Sequence, residues 1–184
     1  MEIKIGTNQI LKVLHVLSWI IFFGLCIEAS AIAFNASYTF IKGSYNVHGY
    51  WNGADFSNLY NFDKGYFFVI ILLMIIVGVL KCIMFYLIVK IFMDKKLSLS
   101  QPFSEALKKF ILLQSIIAFG IGLFCAFANK YRIHLTKQGV EIPELEVLKL
   151  EGSSIWIFMS IILFIIVQIV KKGIEIREEN DLTI

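Results

Sequence analysis

The stretch VIILLMIIVGVLKCIMFYLIV, within residues 66–92, holds a single charge, Lys81, in a segment long enough to cross a bilayer. At 1.5 Å per residue it spans the roughly 30 Å hydrocarbon core. No water reaches that depth, so every backbone N–H and C=O has to be satisfied within the segment, and the helix is the fold that does this. Lys81 is then the residue to explain. An unpaired cation there costs at least about 2.5–3.5 kcal/mol on insertion, so it is paired, hydrated or functional. Glu28, in the first apolar run, poses the same question more weakly.

Three other runs read the same way, so spans are predicted at about 10–34, 66–92, 107–128 and 155–170, the last being short. The chain has 184 residues, 58% hydrophobic and 17% charged, with a mean hydropathy of +0.77. These values exclude a soluble domain and predict one all-α integral membrane unit over 1–184, an antiparallel four-transmembrane-helix bundle. The first span is too long for a cleavable signal peptide and carries Glu28 near where a cleavage site would fall. Basic residues set the expected orientation. Lys95 with Lys96, Lys108 with Lys109 and Lys171 with Lys172 all fall on the side of the two termini, which is therefore expected to be cytoplasmic. The net charge of +3 is a topology signal, and no direct nucleic-acid contact is expected.

The two connections on the other side, 35–65 and 129–154, are predicted to form a small extracytoplasmic cap. Residues 35–65 are rich in aromatics, Asn and Gly. In the second connection Tyr131, Ile133 and Leu135 alternate with Arg132, His134 and Thr136, followed by Gly139 and Pro143, a pattern that reads as two or three short strands around a turn. The competing reading is a pair of irregular loops in the headgroup layer, where Tyr and Trp are favoured. On the cytoplasmic side Pro102 interrupts the helical pattern, Ser104 can cap the third helix and Glu105 suits its first turn.

The segment Pro102-Phe103-Ser104-Glu105-Ala106-Leu107-Lys108-Lys109 and, more closely, the tail Lys172-Gly173-Ile174-Glu175-Ile176-Arg177-Glu178-Glu179-Asn180-Asp181-Leu182-Thr183-Ile184 resemble an uncharacterised bacterial family. It is the YoaS-like group, domain of unknown function 2975, whose terminal pattern is EIxEENDLTV. Span order and endings are similar over nearly the whole chain, while the specific motif covers the last ten or so residues. The resemblance implies a four-span protein of the bacterial cytoplasmic membrane, often accompanied by a small helix-turn-helix regulator of the Cro type, with no established activity or ligand. The outer loops here are longer and more aromatic than that pattern, and the resemblance assigns nothing to Lys81 or Glu28.

Catalysis finds little support in the residues. There is no GxSxG, HExxH, P-loop or dinucleotide fingerprint, and His15, His48 and His134 fall in separate segments. Cys26, Cys82 and Cys125 are odd in number, lie in apolar spans and form no CxxC, so they read as packing residues and neither zinc nor a structural disulfide is expected. No catalytic residue, metal or cofactor is predicted. Gly120, Gly122, Ala118 and Ala126 permit close helix approach.

Two candidate sites remain. The first is an intramembrane polar pair or cavity of Lys81, Glu28 and Gln114. With Phe34 and Tyr66 as span ends, Glu28 and Lys81 are offset by roughly 13 Å, and their side chains tilt toward each other, so contact is expected directly, through Gln114 or through water. Lys81 snorkelling to the far interface is the competing reading. The second is a cytoplasmic tail, 171–184, in which Glu175, Glu178, Glu179, Asp181, Leu182 and Ile184 form either a docking peptide or a solvated helix end. The expected role is a non-enzymatic sensor or regulatory partner, coupling the membrane or an extracytoplasmic ligand to a cytoplasmic helix-turn-helix regulator. A small transporter or oligomeric pore, lined by the same polar residues, is the alternative. The lipid bilayer is a partner in both, and a homo-oligomer is compatible with both.

Overall fold

A computed structural model describes residues 7–43, 47, 53–94 and 103–181. Five helices run through them: α1 Thr7–Lys42, α2 Ser57–Phe62, α3 Lys64–Met93, α4 Glu105–Lys137 and α5 Ser153–Asp181. Of these, α1, α3, α4 and α5 are each long and apolar enough to cross a membrane. Each predicted span lies inside one of them; α3 matches its span to within two residues at each end, whereas α1, α4 and α5 continue two turns or more past their predicted carboxyl ends. Two caps mark their starts. The Asp63 carboxylate accepts from the Tyr66 N–H at 3.0 Å to open α3. Ser104 accepts from Leu107 N–H at 3.2 Å to open α4, where Glu105 pairs with Lys108 at 2.6 Å.

The substantial helix contacts run in series: α1 on α3, α3 on α4 and α4 on α5, with short α2 against α3. Successive long helices are antiparallel. Tyr66 meets Tyr131 and Gln114 meets Met84 between α3 and α4, while Ser115 meets Ser160 between α4 and α5. The fully buried core gathers toward the Lys64 and Lys137 ends, where Phe56, just before α2, and Leu59 within it pack with Phe67, Ile70 and Ile71 of α3, Leu135 of α4, and Leu148 and Leu150. α1 is the least embedded helix. Only 6% of its most apolar window is buried, and Ile20, Phe23, Ile27 and Phe34 turn outward, as a lipid-facing surface requires.

The expected strands over 131–136 are helical turns, and no strand occurs among the described residues. The alternation there was a weaker signal than the helical stripe it interrupted. Ile121, Cys125, Ala128 and Leu135 are fully buried at helical spacing, whereas Ile133, which a strand would have placed beside Leu135, is 46% exposed. The helix ends in a Schellman turn. Gly139 adopts φ +82°, its N–H bonds Thr136 O, and Val140 N–H bonds Leu135 O while its side chain is buried with Leu135. In place of a β-rich cap, residues 138–152 fold as an irregular segment against α3 and α4. One turn over 144–150 closes in the same way, with Lys149 N–H on Glu146 O and Leu150 N–H on Leu145 O.

That segment does not stay at the helix ends. α5 starts at the level of Gly122, where an added Cβ would stand 3.2 Å from Ser153 O and 2.6 Å from Ile157 Cγ1. Gly122 lies fifteen residues, or about 22 Å, below the end of α4, so residues 138–152 descend that distance alongside the helices. α5 then runs 29 residues to Asp181 without a break.

Candidate functional site: Lys81 beneath the descending segment

Lys81 lies about 25 Å from the start of α3 and about 18 Å from its end. The contacts of Tyr66 with Tyr131 and of Gln114 with Met84 put its backbone level with Ile117, midway along the apolar part of α4. Its side chain leans toward the start of α3, as helical side chains do, and there it meets the descending segment. The Lys81 ammonium donates to the Lys149 carbonyl at 3.0 Å and lies 5.8 Å from the centre of the Trp156 ring. A hydrogen bond from a charged donor contributes about 1.5–3 kcal/mol and a cation over an indole about 0.5–1 kcal/mol. Together these are comparable with the insertion penalty that made Lys81 conspicuous.

Lys149 is the one described non-glycine residue at positive φ, +57°. A lysine in this left-handed region costs of order 1–3 kcal/mol, and the conformation closes the 144–150 turn while presenting the carbonyl that Lys81 uses. Two cavities flank the bond. An open cleft of about 520 Å³ is lined by Lys81, Lys149, Glu151, Gly152, Ile155, Trp156 and Met159. On the other side, toward α1, a void of about 20 Å³ lies among Leu25, Glu28, Ala29, Ile32, Met74, Gly78, Lys81 and Lys149. That is room for one water.

Glu28 and Lys81 thus line one small cavity without forming an ion pair. One Glu28 carboxylate oxygen is buried and has no hydrogen-bond partner among the described residues. The axial offset between them is far below 13 Å. An added Cβ on Gly78 would lie 3.3 Å from Ala29 Cβ, so these residues share a level, which leaves Glu28 and Lys81 only about 3 Å apart along the axes. The sequence estimate took Phe34 as the end of the first helix, and that helix continues two turns further, to Lys42.

Gln114 is buried one turn nearer the Met93 end, where its amide donates to Met84 O at 2.9 Å. It lines neither Lys81 cavity. Lys149, Glu151 and Trp156 were not singled out from the sequence. The available signal was Trp156, the one indole of the fourth apolar run, just after the Lys149-Leu150-Glu151-Gly152 turn.

The predicted tail continues α5 through Asp181, and Leu182 and Ile184 lie outside the described residues. Glu175 pairs with Lys172 at 3.1 Å and approaches Lys171 at 3.9 Å. Phe103 packs against Gly173, and Arg177 reaches Phe103 O at 3.5 Å. Glu178 and Glu179 are exposed. His15 accepts from the Trp19 indole N–H at 3.0 Å and stacks on Phe92 at 5.6 Å. Among the described residues no three His, Cys, Asp or Glu converge as a metal-binding group.

Compared with protein-family models, with curated proteins and with solved structures, the chain matches none.

Proposed function

We propose that this chain is a non-enzymatic sensor or regulatory partner of the bacterial cytoplasmic membrane, with both termini in the cytoplasm and its four long helices forming an antiparallel bundle. The tail motif quoted above is the basis for placing it beside the YoaS-like family and its helix-turn-helix partners. The observation that carries the reading is that one helix joins the two candidate sites. α5 begins at the Lys81 cleft with Ile155, Trp156 and Met159 and ends on the exposed acidic turn of Glu178 and Glu179. A ligand or membrane perturbation that breaks the bond between Lys81 and Lys149 acts on the start of the helix whose other end meets the regulator.

The test is capture of cytoplasmic proteins in mild detergent by the full chain and by one lacking residues 178–184. This truncation keeps Gly173 and Arg177, and with them the Phe103 contacts. Capture of a DNA-binding regulator by the intact chain alone supports the reading, and equal capture by both sinks it. The second reading, a small transporter or pore, draws on the polar groups around Lys81. Solute or ion flux in liposomes that is lost on Lys81→Met would favour it instead.

A further inference from the structure

The contact between α1 and α3 follows one register from end to end. His15 stacks on Phe92, Phe22 meets Tyr86 in a tilted contact at 6.1 Å and Phe40 meets Phe68 edge-on at 5.7 Å, with Ala29 against Gly78 at the closest approach. Moving up α1 from Phe22 to Ala29 takes seven residues, and moving down α3 from Tyr86 to Gly78 takes eight. Cys26 is four residues from Phe22 and Cys82 four from Tyr86, so the two share the level one turn from the point where the backbones come closest. Both are half-buried, and the thiols are near enough to interact across the seam. Disulfides need Cβ atoms about 3.5–4.5 Å apart; one turn away, at the closest approach of the two helices, a Cβ added to Gly78 would lie 3.3 Å from Ala29 Cβ.

We propose that Cys26 and Cys82 form a redox-active pair that closes to an interhelical disulfide, with a membrane-soluble quinone as the oxidant. The pair lies beside Lys81 at mid-helix depth, away from water-borne disulfide reagents, and a quinone is an apolar acceptor of two electrons and two protons. One thiol adds to the quinone ring, its proton passing to a quinone oxygen. The second thiol then attacks that sulfur and displaces the ring, which takes the second proton. Two S–H bonds break and one S–S bond forms, and the electrons and protons leave on the ring as quinol. Cys125 takes no part, because it is fully buried on α4. The oxidised pair would fix α1 to the helix that provides its substantial contact. The inference goes beyond the sensor reading and does not depend on it.

The test uses the full chain, reduced, in liposomes and treated with a short-chain benzoquinone, then denatured, alkylated and analysed by intact mass and peptide mapping. Free thiols should fall from three to one, with a mass loss of two hydrogen atoms and linked peptides carrying Cys26 and Cys82. One quinol should form per chain. Cys125→Ser should behave as the wild type, and Cys26→Ser or Cys82→Ser should form no intramolecular link. Three persisting thiols, a stable quinone adduct, a link through Cys125 or a link between chains would each overturn the proposal.

Discussion

Gly122→Ala probes the α4–α5 contact that fixes where α5 begins. The new methyl would stand 2.6 Å from Ile157 Cγ1, 3.1 Å from Ile157 N and 3.2 Å from Ser153 O. Carbon contacts are comfortable at about 3.5–4.0 Å. Two of the three neighbours are backbone atoms of α5, so relief requires the helices to part. Overpacking of this kind costs about 1–3 kcal/mol, against a gain of about 1 kcal/mol from replacing a helical glycine by alanine. The expected result is a net loss of about 1 kcal/mol. Gly120→Ala is the internal control, two residues away on the same helix. Its methyl would meet only Leu80 Cδ1, at 3.8 Å, so the backbone gain of up to about 1 kcal/mol stands unopposed. The two variants should therefore fall on opposite sides of the wild type in a reversible denaturing-detergent titration followed by circular dichroism. If Gly122→Ala is as stable as the wild type, or Gly120→Ala is the more damaging, the packing of α5 on α4 is not as described.

Lys149→Gly should stabilise the protein by about 1 kcal/mol, since glycine adopts the left-handed conformation without penalty and keeps the carbonyl that Lys81 binds; a loss of stability in the same titration would show that the side chain itself is needed. Lys81→Met should speed amide hydrogen exchange over residues 148–152, because it releases the carbonyl anchoring that segment, and unchanged exchange there would refute the anchoring role. Combined with Glu28→Gln in a double-mutant cycle, it should give a smaller loss than the two single changes added, because both groups line one cavity. Strict additivity would separate them. A reporter after Ile184 should be cytoplasmic and one near Asn58 extracytoplasmic, following the basic clusters; both on one side would end the four-span reading.

The long apolar helices were legible because burial in lipid leaves a run of twenty or so apolar residues little else to become. Ser104 was legible because a helix start demands a specific residue chemistry, whereas Gly139, read as the turn between strands, ends α4 in a left-handed turn. The stretch 131–136 misled because Tyr131, Ile133 and Leu135 alternate by chance inside a helix whose burial depends on Val140, Leu148 and Leu150, partners the local pattern does not contain. Lys81 and Glu28 stood out by their cost in lipid, yet the group that bonds Lys81 is a backbone carbonyl. Such a group has no sequence signature, and only the fold of 138–152 brings it there. Helix ends were the weakest reading, and the error of two turns at the end of α1 carried directly into the estimated depth of Glu28.

The staggered start of α5 has a consequence for where its far end must lie. Ser153 begins level with Gly122, and 29 residues of α-helix cover about 43 Å. Glu105, where α4 starts, lies seventeen residues below Gly122, so α5 outreaches its neighbour by about eleven residues, or some 16 Å. The protruding length is a mast, braced at its foot by Phe103 against Gly173 and by Arg177 on Phe103 O. A helix has no joint along its hydrogen-bonded ladder, so an axial slip of α5 along α4 reaches Asp181 undiminished. The brace would be the first contact to feel it.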